Sequence, residues 1–79
     1  MHEDQTITSN VNGTAPLSLL MSKYVPVAAR FADGQWGYLI PMASRDSTNW
    51  QLGMFDLNFS KMANTTAKVR IYYIEPDSV

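Results

Sequence analysis

Apolar residues recur at every second position through the middle of the chain, on both sides of the dipeptide Asp33-Gly34. This dipeptide favours a type I′ turn, which requires positive φ at both of its central residues. Pairing outward from the turn sets Phe31 opposite Trp36 and continues with apolar pairs on the same face. We therefore predict a β-hairpin over Val25–Met42.

The segment after Trp50 also alternates, but its apolar side changes between Met54 and Phe55. An extra residue in a strand has this effect, and the neighbouring Gly53 favours a β-bulge at this point. Polar residues interleave strictly with apolar ones after Phe55, which favours a continuing strand over a helix.

A turn at Asn64-Thr65-Thr66 leads into Val69–Ile74, which is rich in β-branched and aromatic residues. We predict a second hairpin over Phe55–Ile74. Its register stays open, because either Val69, Ile71 and Tyr73 or Tyr72 and Ile74 face inward. In both cases the adjacent Tyr72 and Tyr73 point to opposite sides of the sheet.

The first thirteen residues are polar and end in a turn-rich cluster, so we interpret residues 1–13 as an arm that adds Thr6–Val11 to a sheet edge. From Thr14, apolar residues recur at helical spacing as far as Tyr24, with Thr14 as N-cap. This predicts a short helix. The alternative is a strand with Leu17, Leu19 and Met21 on one side.

Together these elements predict a mainly β protein with one short N-terminal helix. The strands would form a small antiparallel barrel or half-sandwich of four or five strands, in a single domain over residues 14–79. A chain of 79 residues has room for one such domain.

The composition excludes several classes of partner. Hydrophobic residues make up 46% of the chain and charged residues 16%, which is typical of a folded protein. The net charge of −1 gives no basic surface for nucleic acid or anionic membranes, and no apolar run is long enough to enter a bilayer. We expect no nucleic-acid partner and no membrane insertion.

The supply of reactive side chains is small. The chain has no cysteine and a single histidine, His2, so the common metal sites and hydrolytic triads cannot be assembled. A carboxylate pair of Asp46 and Asp56 is the nearest candidate for acid–base catalysis, but an exposed loop acid and an outward strand acid explain it better. We predict no enzyme activity, no cofactor and no metal.

The sequence offers more residues for binding than for catalysis, because a small core cannot easily enclose nine aromatic residues. Trp50 follows the polar run Ser44–Asn49, where hydroxyls, amides and a guanidinium lie beside an indole, as a binding loop requires. Trp50 is the strongest candidate for an exposed aromatic residue, with the alternative that it begins a core strand beside a solvating loop, and Trp36 is expected in the core. The candidate binding residues are Arg45, Asp46, Asn49 and Trp50, together with Asn58 and one of Tyr72 and Tyr73.

Two segments resemble known families. The run Asp33–Ile40 resembles a single WG β-repeat. The segment from Phe55 to Pro76 is similar to the late strands of carbohydrate-binding jelly rolls and of fimbrial subunits, with the polar arm similar to a fimbrial donor strand. These resemblances imply β-structure and either glycan binding or assembly.

We therefore hypothesise a non-enzymatic, extracytoplasmic binding or assembly module that recognises a glycan or a partner protein through exposed aromatic residues. It is expected to self-associate as a homo-oligomer, in a secreted, periplasmic or cell-surface location. A cytoplasmic location stays open. The alternative is a small phage- or plasmid-type protein that inhibits a host protein inside the cell by covering its surface.

Overall fold

The computed structural model describes residues 1–76 as two three-stranded antiparallel sheets that pack face to face. Within these residues there is no helix, and the sheets do not close into a barrel. The strands are β1 (His2–Thr8), β2 (Thr14–Leu20), β3 (Val25–Phe31), β4 (Tyr38–Met42), β5 (Asn49–Phe55) and β6 (Thr66–Ile74). One sheet has the order β1-β6-β3 and the other β2-β5-β4.

Neither predicted hairpin, Val25–Met42 or Phe55–Ile74, forms. Strand β3 pairs with β6 and β4 pairs with β5, so Phe31 lies opposite Val69 rather than Trp36. Only Gly34 of the predicted turn has positive φ, and the type I′ geometry is absent. Every connection except the one between β4 and β5 carries the chain from one sheet to the other.

The predicted helix from Thr14 to Tyr24 is wrong, and the alternative interpretation as a strand is confirmed. Strand β2 pairs with β5 and buries Leu17 and Leu19 while Leu20 stays 45% exposed. The period is therefore that of a strand, and tertiary burial outweighs the local helical spacing.

The predicted bulge at Gly53 is also wrong. Strand β5 pairs with β4 in a continuous register from Met42–Gln51 to Tyr38–Phe55, and β5 ends at Phe55. Beyond it, the Asp56 carboxylate accepts the backbone N–H groups of Asn58 at 2.8 Å and Ser60 at 2.9 Å, which closes a loop. The change of apolar side therefore marks the end of the strand.

The register left open for the last strand takes the first of its two alternatives. Val69 and Ile71 are fully buried and Tyr73 packs against the core, whereas Tyr72 lies on the outer side with His2 and Arg30. The two tyrosines thus face opposite sides, as predicted.

All six strands contribute to one core between the sheets. Strand β1 spans His2–Thr8, with Ile7 in the core and Val11 left 71% exposed beyond it. The Gln5 amide joins the two sheets at this side, accepting the N–H of Ser18 at 2.9 Å and donating to its carbonyl at 3.2 Å. The buried apolar residues are Ile7, Ala15, Leu17, Leu19, Phe31, Leu39, Leu52, Met54, Ala67, Val69 and Ile71.

The prolines within strands all lie on sheet edges. Pro16 is in β2, Pro26 in β3 and Pro41 in β4, and each of these strands is an outer member of its sheet. Proline has no N–H to donate, so it weakens an edge as a template for another strand. The remaining edge, β1, has the charged residues Glu3 and Asp4 instead.

Candidate functional site

An exposed apolar row runs along the outer side of β4. Tyr38, Ile40 and Met42 alternate with buried Leu39 and half-buried Pro41, and they remain 42%, 43% and 41% exposed. Because every residue of β4 is apolar, the strand leaves an apolar row outside whichever side it turns to the core.

Gly53 extends this row onto β5. It lies opposite Ile40 in the ladder, and a Cβ at Gly53 would lie 3.0 Å from both Met42 Sδ and Phe55 Cε2. The side chains of Met42 and Phe55 therefore cover Gly53 from two strands. The missing side chain makes the apolar surface continuous across the sheet.

Phe59 completes the surface from the loop after β5. Its ring stacks on Tyr38 with 4.5 Å between centroids and a 5° interplanar angle, and it lies 5.9 Å from Phe55. Phe59 has φ +61° and is 60% exposed, so the loop holds an apolar ring outward in a backbone conformation that costs energy. We call Tyr38, Ile40, Met42, Phe55 and Phe59 the aromatic face.

The outer side of the other sheet is charged instead. Arg70 on β6 donates to both oxygens of Asp4 on β1, at 2.7 and 3.1 Å, and Lys68 Nζ lies 3.9 Å from the same carboxylate. The Arg70 guanidinium lowers the pKa of Asp4, and Asp4 raises the pKa of Arg70. We call this side of β1, β6 and β3 the charged face.

Tyr72 also lies on the charged face. It accepts the Nε–H of Arg30 at 3.3 Å, and its ring lies 5.7 Å from that of His2. The nearby Arg30 guanidinium lowers the pKa of the Tyr72 phenol.

The structure does not bring the predicted binding residues together. Arg45 and Asp46 are exposed in the loop between β4 and β5, and Asn49 begins β5. Asn58 follows the other end of β5, so it lies at the opposite end of the sheet from that loop. The same separation keeps Asp46 away from Asp56, whose carboxylate already accepts N–H groups of its own loop.

The structure overturns the prediction for Trp36 and takes the core-strand alternative for Trp50, the second residue of β5. Trp50 is half-buried against the core and donates its indole N–H to the Tyr24 carbonyl at 2.8 Å. Tyr24 in turn meets Tyr73 edge-on at 5.1 Å, and burial raises the pKa of the Tyr73 phenol. Trp36 is 80% exposed because the chain leaves the first sheet before reaching it.

Sequence reasoning missed the aromatic face. It placed Tyr38, Ile40 and Met42 in the interior by pairing them with β3, and it assigned Phe59 to a strand. The uninterrupted apolar run from Tyr38 to Met42 was the signal that an exposed row had to exist.

The described residues offer little other chemistry. Among residues 1–76, no three His, Cys, Asp or Glu side chains are grouped to hold a metal ion. None of the elements in this part of the chain is a helix long and apolar enough to cross a membrane. Comparison with family models, curated proteins and solved structures found no match.

Proposed function

We propose that this protein is a non-enzymatic assembly module whose aromatic face docks on the same face of a second copy. The observation that carries the proposal is the contrast between the two outer faces. The outer side of the first sheet presents paired charges across β1 and β6, with the exposed apolar pair Val25 and Ile74 at one end. The aromatic face instead exposes stacked rings and aliphatic side chains, with charged Lys61 beside Phe55 at its border.

The chemistry of the aromatic face favours a protein surface over a glycan. Sugar recognition needs directional hydrogen bonds beside an aromatic platform. Among the five side chains of the face, only Tyr38 has a hydrogen-bonding group, its hydroxyl. Ile40, in the middle of β4, and Met42, at its end opposite Gln51, favour tight apolar packing instead.

A second copy matches this surface in charge and in size. The five side chains of the aromatic face have no charge, so their centres meet without like-charge repulsion, and Lys61 beside Phe55 lies at the border. A twofold contact uses the same patch on both partners. Exposed fractions of 41–60% on four large side chains amount to an apolar area on the order of 400 Å². Standard interfaces bury about 800 Å² per partner with an apolar centre and a polar rim, so the face supplies that centre.

The sheet edges do not favour assembly. Each of β2, β3 and β4 has a proline, and a strand added there would lose main-chain hydrogen bonds. Docking between faces leaves the edges unused.

The test is the mass in solution across a concentration series, by sedimentation equilibrium or light scattering. Tyr38→Thr removes a ring but introduces a residue that also favours strands, and Phe59→Asn suits the positive φ of that position. Each should weaken self-association at least tenfold, as expected for aromatic anchors. The matched control, Tyr72→Thr, makes the same change on the charged face and should leave association as in the wild type.

A wild-type protein that stays monomeric up to millimolar concentration would overturn the proposal. So would an equal loss in all three variants. Circular dichroism of each variant separates lost docking from lost folding.

A further inference from the structure

A cleft lies where the chain leaves the end of β3, away from the centre of the aromatic face. It has a volume of about 440 Å³ and is lined by residues 30–32 and 34–37. Its size is in the range of small-ligand sites, about 300–1,000 Å³. Its lining residues include Trp36, Arg30 and Gln35, which offer an aromatic ring, a cation and an amide.

Trp36 supplies an exposed ring on a constrained backbone. The indole is 80% exposed, and the next residue, Gly37, packs so closely that a Cβ there would overlap the Phe55 carbonyl oxygen. On its other side, Gln35 donates both its backbone N–H and its amide to Asp33, at 3.2 and 2.9 Å. The ring is therefore presented by fixed neighbours.

Arg30 supplies a cation that lacks a carboxylate partner among residues 1–76. Its contact there is the Tyr72 hydroxyl at 3.3 Å, whereas Arg70 is paired with the Asp4 carboxylate. The carboxylate of Asp33 is held toward β6, where it accepts the Lys68 N–H at 3.0 Å, and these donors lower its pKa. Asp33 therefore does not neutralise Arg30 in the described structure.

We propose that this cleft binds a carbohydrate that bears a carboxylate group. The apolar face of the sugar ring stacks on Trp36, whose ring face is electron-rich. The sugar carboxylate pairs with the Arg30 guanidinium in the fork geometry that arginine offers to carboxylates. The hydroxyls meet the Gln35 amide and the backbone of Gly34. This site is separate from the docking of two copies.

The test is an NMR titration that follows the Trp36 indole N–H resonance. The acidic probes are 3′-sialyllactose and trigalacturonate, and the neutral probes are lactose and maltotriose. We expect a saturable shift with at least one acidic probe, with an affinity at least tenfold above that of the neutral probes. Trp36→Ala, followed through the backbone N–H resonances of Gln35 and Gly37, should abolish binding. Arg30→Gln should remove the preference for the acidic probe.

The matched control is Arg45→Gln, which removes the same charge from the distant loop between β4 and β5 and should leave binding unchanged. Three results would overturn the proposal: no saturable shift with either acidic probe, equal affinity for acidic and neutral probes, or an acidic preference that survives Arg30→Gln. The amide spectrum of each variant verifies its fold.

Discussion

The outer faces of the two sheets differ although both belong to three-stranded antiparallel sheets. On β6, the outward residues Lys68, Arg70 and Tyr72 alternate with residues in the core. The core residues are Val69 and Ile71, so the strand has one solvent-facing side and one buried side. On β4, the outward residues are as apolar as the inward one. Alternation along a strand therefore predicts a face that water covers, whereas its loss in β4 leaves an exposed apolar face, on which the proposed docking rests.

The difference concerns partners more than stability. The Asp4–Arg70 pair is solvent-accessible, and exposed ion pairs add little to folding. Stability comes chiefly from the apolar core that both sheets share. The two outer faces are free to differ because neither holds the sheets together.

The largest loss of stability is expected from a substitution in the connection between β3 and β4. Gly37→Ala would drive a Cβ into the Phe55 carbonyl and the Phe31 ring, so β4 must shift. We expect a loss of roughly 3–5 kcal/mol in the free energy of unfolding, the range of severe core substitutions. Urea denaturation followed by circular dichroism measures it.

Gly34→Ala is the control for this change. Its Cβ would meet nothing within 4 Å, but the residue has φ +86°, so the expected cost is only about 1 kcal/mol. Equal losses in the two variants would show that the close approach at Gly37 does not matter.

A smaller effect is expected from a charge placed on the aromatic face. Ile40→Glu sets a carboxylate in the middle of the docking surface, where each copy would present it to the other. We expect association to weaken at least tenfold, by the mass measurement described above, with the unfolding free energy within about 1 kcal/mol of the wild type because Ile40 is 43% exposed.

Thr6→Glu makes a matched change on the charged face, opposite Lys68 in the ladder, and should leave association intact. If both glutamates weakened association alike, the contrast between the faces would not explain docking.

The smallest effect is expected from removing the ion pair of the charged face. The pKa of Asp4 lies below its ordinary value of 3.8 in the folded protein, so the pair stabilises the fold above that pH. This contribution is lost as the pH falls through the folded-state pKa. Asp4→Asn should therefore lower the Tm at neutral pH, and the difference should close on acidification from about pH 5 to pH 2.

Thermal melts of the wild type and Asp4→Asn at each pH provide the measurement. Asp33, whose pKa is also lowered, contributes an acid-dependent background to both proteins. A Tm difference that stayed constant over the whole range would contradict a role for the Asp4 charge.

The sequence predicted which side of several strands faces inward but not which strands are neighbours. In β6 and at the end of β3 the inward positions follow from local alternation, and Phe31, Val69 and Ile71 are buried. At the start of β3 the register shifts between Pro26 and Ala28, and Val25 and Val27, which alternation places inward, are exposed. A hairpin and a sandwich bury the same side of β3, so its pattern could not distinguish pairing with β4 from pairing with β6. That choice depends on contacts between distant parts of the chain.

The candidate site was harder to predict, because exposure is decided far along the chain. The indole of Trp50 is held inward by the carbonyl of Tyr24, 26 residues away, and nothing beside Trp50 indicates this contact. Phe59 faces outward because Asp56 closes a loop where apolar alternation continues. Only the unbroken apolar run of β4 indicated from neighbouring residues alone that an apolar surface would be exposed.

The three prolines at the sheet borders bear on how far any aggregate can grow. Association through the outer strands of sheets has no size limit, because each added molecule presents a new unpaired outer strand to the next one. Fibrils lengthen in this way. Assembly through one self-complementary patch stops at two molecules, because each molecule then covers the patch of the other. Three backbone nitrogens without a hydrogen thus disfavour a filament, and the proposed docking would end with a closed pair.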